Sequence, residues 1–578
     1  MFYKLKQLWR HLSTKRQKQF WALILLMLIT SLAEIISLGA VVPFLGILSA
    51  PEQVFQHPYT QPIINYFSLT ESSQLILPLT IIFVLSAILA GSVRILLLYV
   101  MTRLSYAAGA DLSINIYRRT LYKKYEHHIA SNSSEVINGI ITKTNTVIGG
   151  ILLPILTLLS SFILFISILS TLLFINTFVA LIALTGFGTL YCLIILYTRK
   201  RLKINSEIVA NQSTDMIQAL QEGLGGIREV LIDGTQEFYC RIYRKADLQL
   251  RKASGDNIFI IGSPRFVMES LGMTLIAVLA YVIHQEENNF IPLMGVLALG
   301  AQRLLPVLQH MYASYTVING SSASFADVLD LLKHPLPVYA NQPLSEMIPF
   351  ENKIKLQGLS YKYSTKTPYI FKNINIAIKK GSRVGFIGQT GCGKSTLLDI
   401  IMGLLSPTKG DLIIDSQVIT ENNFRQWQAH ISHVPQTIYL SDSSIEENIA
   451  FGVAKKDIDH FRVIKAARQA KIHETIESWN DQYQTIVGER GVRLSGGQRQ
   501  RIGIARALYK QTDVIVFDEA TSALDNEVEQ GVMKEIQKLG DEVTILIIAH
   551  RLSTLKGCDQ IFELSKDGIL MKQMDEIL

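Results

Sequence analysis

Apolar residues run almost unbroken through six stretches of the first 320 residues, near 20–49, 74–101, 147–173, 177–199, 257–283 and 290–318. A membrane-crossing helix needs roughly 20 such residues. Several of these runs are longer, which predicts helices that tilt or continue into the cytoplasm. The first run is too long for the core of a signal peptide, and no small-residue cleavage site follows it, so it reads as a helix. The pattern then changes. HPLPVYANQPLSEMIP (334–349) is rich in proline, lacks a helical period and reads as a linker. Beyond it, KIKLQGLSYKYS alternates as a strand does, and NINIAIKKGSRVGFIG supplies two more strands. The expected fold is a six-helix, all-α transmembrane domain (1–335), a linker (336–349) and an α/β domain (350–578).

Composition supports the division. A chain of 578 residues combines a mean hydropathy of +0.27 with 18% charged residues, a mixture that suits a membrane half joined to a soluble half. Charge placement sets the orientation. Lys4, Lys6, Arg10, Lys15, Arg16 and Lys18 precede the first run, and Pro51 to Ser73 carries no Lys or Arg. The connection after the second run holds Arg118, Arg119, Lys123 and Lys124. The one after the fourth holds Arg199, Lys200, Arg201, Lys203, Arg228, Arg241, Arg244 and Lys245. The positive-inside rule puts both termini and these two long connections in the cytoplasm of an inner (plasma) membrane protein. The net charge of +7 flanks apolar spans and is not concentrated on one basic face, so nucleic acid is not an expected partner. Cys192, Cys240, Cys392 and Cys558 form no C-x-x-C pair, which argues against a disulfide framework and a zinc site. In the outer connection, prolines break any continuous helix. Pro62 to Phe67 is read either as a short amphipathic turn on the membrane surface or as ordinary polar loop.

Three motifs carry chemistry. GQTGCGKS fits G-x-x-x-x-G-K-[ST] at every fixed position from Gly388 to Ser395. Its glycines let backbone N–H groups turn toward phosphates, Lys394 reaches the β- and γ-phosphates, and Ser395 suits Mg²⁺. A helix is expected from Gly393 or Lys394, adding its positive end to the anion site. LSGGQ (Leu494 to Gln498) and VIVFDE (Val514 to Glu519) follow. The acidic pair ending an apolar strand is hard to explain as packing, because buried unpaired carboxylates are costly.

This ordered set resembles the ABC transporter family, in particular its type IV (type I exporter-fold) half-transporters. The resemblance implies an ATP hydrolase coupled to transport, with ATP and Mg²⁺ as cofactors. It implies that ATP is bound by Gly388, Gln389, Thr390, Gly391, Cys392, Gly393, Lys394, Ser395 and Thr396, with Tyr363 stacked on adenine. It also implies that Ser395, Gln436 and Asp518 attend Mg²⁺, that Glu519 is the general base, and that His550 and Gln436 complete the catalytic set. Ser495, Gly496, Gly497 and Gln498 would bind the γ-phosphate held by a second chain. Ser522 to Asp525 matches the segment that crosses to that partner. One chain carries one loop and one LSGGQ, so a homodimer is expected, with a heterodimer formed with another chain as the alternative. Segments around His127 to Ser134 and Gly226 to Gln236 resemble coupling helices, and Gly488 to Gly491 the turn before the signature.

The membrane half bears on cargo. Arg94, Arg265 and Arg303 lie within apolar runs, where facing lipid at mid-membrane would cost each roughly 2.5 kcal/mol or more. They are read either as a cavity belt for phosphate, or as ions paired with Glu34 and Glu269 or snorkelling to the interface. EIISLGAVVPFLGILSA, SPRFVMESLG and QRLLPV resemble segments of PglK-type flippases for lipid-linked oligosaccharides, which implies the belt and a phosphate-bearing lipid substrate. A general lipid, multidrug or peptide exporter is the alternative. Peptide exporters of the bacteriocin type carry an N-terminal peptidase, and only about 19 residues precede the first run.

Overall fold

The structure, a computed structural model, describes residues 1–578 except 50, 57, 59, 68, 176, 287–289, 343–345, 522, 523, 541, 550, 566, 567 and 574–578. It divides into two compact units. One comprises Met1–Lys123 and Ser131–Leu336, the other Lys124–Ala130 and Pro337–Leu578.

Six long helices dominate the first unit: α1 (Thr14–Ser49), α2 (Ile76–Leu121), α3 (Leu153–Ile175), α4 (Thr177–Gly225), α5 (Gln236–Glu286) and α6 (Phe290–Gly320). Helix is the natural answer to a long apolar run, since it satisfies every backbone N–H and C=O within one segment. Among the described residues, three stretches meet the length and hydropathy of a span outright: Thr14–Leu48, Ser72–Leu121 and Ser133–Leu173. α2, α4 and α5 extend through basic sequence well past a bilayer's thickness, and a fourth extension, Ser133–Leu152, leads into α3. That extension changes pitch twice, with π-helical turns at Gly139–Lys143 and Ile148–Leu152. There the chain packs tightly: a Cβ on Gly150 would lie 2.1 Å from Ser321 Oγ. Polar contacts lock the extensions. Asn138 donates to Ser213 (2.9 Å) and Thr214 (2.8 Å), and buried Lys143 pairs with Asp327 at 2.6 Å.

In the connection between α1 and α2 the chain forms short helices at Pro51–Phe55 and Gln61–Phe67. Ile64 is buried with Ile47, Leu75 and Leu79, and Thr60 Oγ1 donates to the Val54 carbonyl at 2.6 Å. A small apolar cluster holds the second helix, so the residues over 61–67 are a packed turn and not an open polar loop.

The second unit holds two sheets. β1 (Lys353–Tyr361), β2 (Phe371–Lys379), β4 (Lys409–Ile414) and β5 (Gln417–Val418) form an antiparallel sheet in the order β2-β1-β4-β5. β3 (Arg383–Ile387), β6 (Ile431–Val434), β7 (Val514–Asp518), β8 (Thr544–Ile548), β9 (Gln560–Ser565) and β10 (Gly568–Lys572) form the other, in the order β10-β9-β3-β8-β7-β6. This sheet is parallel except for β10 at its edge. Its central strands, VGF, VIVF and ILII, are buried on both faces, as parallel strands covered by helices must be. Register sets the ends of β3, β7 and β8 side by side, so the loops that leave them share one rim. In parallel α/β sheets ligands bind at such C-terminal edges.

Candidate nucleotide site

β3 leads directly into the phosphate-loop motif, and α7 (Lys394–Ile401) leaves it. Gly388, Gly391 and Gly393 have φ of +144°, +83° and +102°. Space reinforces the requirement. A Cβ on Gly388 would lie 2.3 Å from the Leu564 carbonyl oxygen, and one on Gly393 2.4 Å from Ile370. Only glycine meets both demands. α7 buries Leu397, Leu398, Ile400 and Ile401 against the β-sheet core, each contributing about 1.5–3 kcal/mol. It ends at Gly403 (φ +67°), with the Leu404 N–H bonded to the Asp399 carbonyl at 2.8 Å. The loop is therefore gripped from both sides and its N–H groups are fixed in direction.

The remaining site residues come from neighbouring strand ends. Lys394 is buried, and its Nζ donates to the carbonyls of Gly388 (2.7 Å) and Gln389 (3.2 Å). Ser395 Oγ lies 3.4 Å from Asp518 Oδ1 at the end of β7. Gln436, just past β6, donates to Glu519 Oε2 at 2.7 Å. Glu519 has φ +51°, the left-handed region unfavourable to side chains, and its N–H bonds the Ile548 carbonyl of β8. Such strain persists only where surroundings impose it. Tyr363 is half exposed, and its hydroxyl lies 3.0 Å from Thr396 Oγ1. Thus Tyr363, Lys394, Ser395, Thr396, Gln436, Asp518 and Glu519 share one rim. Cys392 is buried in the core beneath the loop. His550 lies outside the described residues, as do Ser522 and Ala523.

Burial is the main force on the acidic groups. It pushes the Asp518 carboxyl up. The Ser395 hydrogen bond and the Lys394 charge oppose this, while Glu519 adds to it. Burial and the Asp518 charge also push Asp399, one turn beyond Ser395, up to about 6. These fit a cation at the rim: two carboxylates and a hydroxyl converge there, and a divalent ion would relieve their repulsion. The glycine cradle and Lys394 suit a polyphosphate on the same grounds.

LSGGQ stands at the start of α8 (Gly496–Lys510). Ser495 Oγ accepts from the Gln498 N–H at 3.2 Å, and Gln498 Oε1 accepts from the Ser495 N–H at 2.8 Å. This reciprocal cap explains a serine and a glutamine three apart, and it leaves the N–H groups of Gly496 and Gly497 at an exposed helix start.

One feature escaped the sequence reading. Glu529, on α9 (Asn526–Gln537), is buried and accepts from Thr521 (3.0 Å), Thr554 (2.6 Å) and Arg551 (3.1 Å). It ties the segment after Glu519 to the one after β8. The available signal was its place on the apolar stripe with Val532 and Ile536. Lys124–Ala130, which overlaps the segment around His127 to Ser134 that resembles a coupling helix, groups with this unit although it follows α2. It carries the helix Tyr125–Ala130, and Lys124 pairs with Glu421. The segment Gly226–Gln236 contains a corresponding helix, Ile227–Ile232. The turn Gly488–Gly491 puts Gly488, Arg490 and Gly491 at φ of +75°, +52° and +69°.

In the helical unit all three arginines meet carboxylates. Arg303 Nη1 lies 2.6 Å from Glu34 Oε2, and Arg94 Nη1 3.3 Å from Glu34 Oε1. Arg265 Nε lies 2.7 Å from Glu269, one turn along the same helix. Pairing with Glu34 and Glu269, the alternative to an open belt, is what the side chains adopt.

Comparison with known proteins agrees with this architecture. Residues 21–289 match the family described as ABC transporter transmembrane region, and residues 371–522 that described as ABC transporter. The chain is 30% identical over 385 residues to the ATP-dependent lipid A-core flippase of Chromohalobacter salexigens, an alignment spanning 65% of each protein. It is 36% identical over 274 residues to the leukotoxin translocation ATP-binding protein LktB of a Pasteurella haemolytica-like species, spanning 47% of this chain and 38% of that protein. A solved structure of a bacterial Atm1-family ABC exporter with ATP bound superimposes with a TM-score of 0.78. It covers 97% of this chain and 96% of that one, and at 21% identity the likeness is one of fold. With a helical transmembrane region joined to an ABC ATPase domain, the chain belongs to the ABC transporters.

Proposed function

We propose that this chain is one half of a homodimeric, ATP-driven flippase that moves a phosphate-bearing lipid, foremost a lipid-linked oligosaccharide, from the inner to the outer leaflet of the plasma membrane. The observation that carries the lipid reading is three arginines inside long apolar helices, Arg94, Arg265 and Arg303, held by Glu34 and Glu269. A cavity for neutral cargo has no need of guanidinium groups, whereas phosphate takes their planar donor pairs well. The relatives described as lipid A-core flippases support the same class of cargo. Basic cytoplasmic connections support an inward-facing ATPase domain.

The ATPase chemistry follows from the rim. Lys394 and the loop N–H groups would neutralise phosphate charge, and Ser395 and Asp518 would hold Mg²⁺ with Gln436 nearby. The ion's contribution is to spread charge over the phosphate oxygens. Glu519 takes the proton of the attacking water, oriented by the Gln436 amide. Tyr363 offers its ring face to adenine once its hydroxyl leaves Thr396, and His550 is assigned to the γ-phosphate. Ser495, Gly496, Gly497 and Gln498 cap the nucleotide of the partner chain. The leukotoxin-translocation relative suggests a second reading, export of a polypeptide.

Mass spectrometry of lipid extracted from the full chain, purified in mild detergent, separates the two. The expected result is enrichment of phosphate-bearing lipid over the membrane from which the protein came. Lipid matching bulk composition would favour the polypeptide reading.

A further inference from the structure

Arg94 and Arg303 close on one carboxylate, and we propose that Glu34 sets the charge of this site. Each chain then presents one net positive charge and accepts one negative charge from a phosphodiester headgroup. This rests on the phosphate-bearing-lipid reading above and deepens it.

Glu34 comes from α1, Arg94 from α2 and Arg303 from α6. The Glu34 side chain is 2% exposed, and those of Arg94 and Arg303 are 49% and 38% exposed. The carboxylate is thus sealed behind the two guanidinium groups. Counted from the outer helix ends at about 1.5 Å per residue, Glu34 lies about 22 Å deep, Arg303 about 20 Å and Arg94 about 27 Å. A long arginine side chain spans the remaining difference. Each guanidinium meets Glu34 through Nη1. Five N–H donors per arginine leave an outward edge on both for a second acceptor.

Charge then selects the acceptor. Two guanidinium groups and one carboxylate sum to one positive charge. Arg265 adds nothing to the sum, because Glu269 neutralises it. A phosphodiester with one negative charge closes the total to zero. A phosphomonoester with two would leave an excess negative charge beside buried Glu34, which is costly in apolar surroundings. A diphosphate linking lipid to glycan also satisfies the rule when shared between two chains, with one charge to each.

The test is lipid binding to the purified full chain by native mass spectrometry at pH 8, where a phosphomonoester carries about two charges. The probes are phosphatidylglycerol and phosphatidic acid. Wild type is expected to prefer phosphatidylglycerol. Glu34→Gln raises the site to two positive charges, and it should bind phosphatidic acid about tenfold more tightly and reverse the preference. Glu34→Asp should keep the wild-type order. Arg303→Gln brings the site to zero and should weaken both lipids. The double variant Glu34→Gln/Arg303→Gln restores one positive charge and should again prefer phosphatidylglycerol, a check independent of how well Glu34→Gln alone folds. If Arg303→Gln loses both lipids while neither Glu34→Gln nor the double variant follows the charge rule, the role of Glu34 is overturned and the phosphate reading stands. If Arg94→Gln and Arg303→Gln both bind as wild type does, the phosphate reading itself fails, and this inference with it.

Discussion

Glu519→Gln should hydrolyse ATP at less than about a hundredth of the wild-type rate, the loss usual when a general base is removed. The amide has the same shape and can still meet Gln436, whose contact with Glu519 is 2.7 Å long. It cannot take a proton from water. The phosphate loop, Lys394 and the Ser395–Asp518 pair are untouched, so nucleotide binding should persist and the protein should hold ATP without turning it over. Steady-state hydrolysis with equilibrium ATP binding checks both halves. A rate above about a tenth of wild type would remove Glu519 from the role of base.

Mixing two inactive variants should restore activity. In a composite site, Lys394→Ala damages the phosphate loop and Ser495→Arg damages the helix start that faces it. Each homodimer carries two damaged sites, and each should be nearly inactive. A mixed dimer pairs one doubly damaged site with one intact site. Random assortment makes about half of all dimers mixed, so up to about a quarter of wild-type activity should return if sites act singly. Hydrolysis by a chain shown to be strictly monomeric would contradict the composite site.

Local signals make the nucleotide site legible in the sequence. The spacing of Gly388, Gly393 and Lys394 reports a backbone that must enter positive φ beside a helix start, and the fold supplies the reason in φ values and in the space left for a Cβ. VIVF ending in Asp518 and Glu519 likewise states a buried strand with an acidic exit. What stays hidden depends on contacts far apart in sequence. The sequence offers Glu34 as a partner for the arginines within the apolar runs, but does not show that it meets both Arg94 and Arg303, the latter 269 positions away. An i,i+4 pair such as Arg265 and Glu269 is visible in sequence, yet whether it forms depends on what else the arginine meets. Glu529 shows in sequence only as a polar residue in register with Val532 and Ile536, and its partners Thr521, Thr554 and Arg551 come from separate segments. The helix over Gln61–Phe67 is obscured by flanking prolines, and it is stabilised by packing on α1 and α2 that no local propensity encodes.

Leaflet-resolved transport in proteoliposomes decides whether ATP hydrolysis drives a phosphate-bearing lipid across the bilayer. Two labelled lipids with the same acyl chains are compared, phosphatidylglycerol and an uncharged glycosyl lipid, with ATP supplied on the side of the ATPase domain. ATP-dependent movement of phosphatidylglycerol is expected, with none for Glu519→Gln and a fall of about tenfold or more with Arg303→Ala, the scale of one charge-assisted contact. The uncharged lipid should lag far behind. Equal transport of both lipids, or phosphatidylglycerol movement undiminished in a well-folded Arg303→Ala protein, would contradict the proposed transport of a phosphate-bearing lipid.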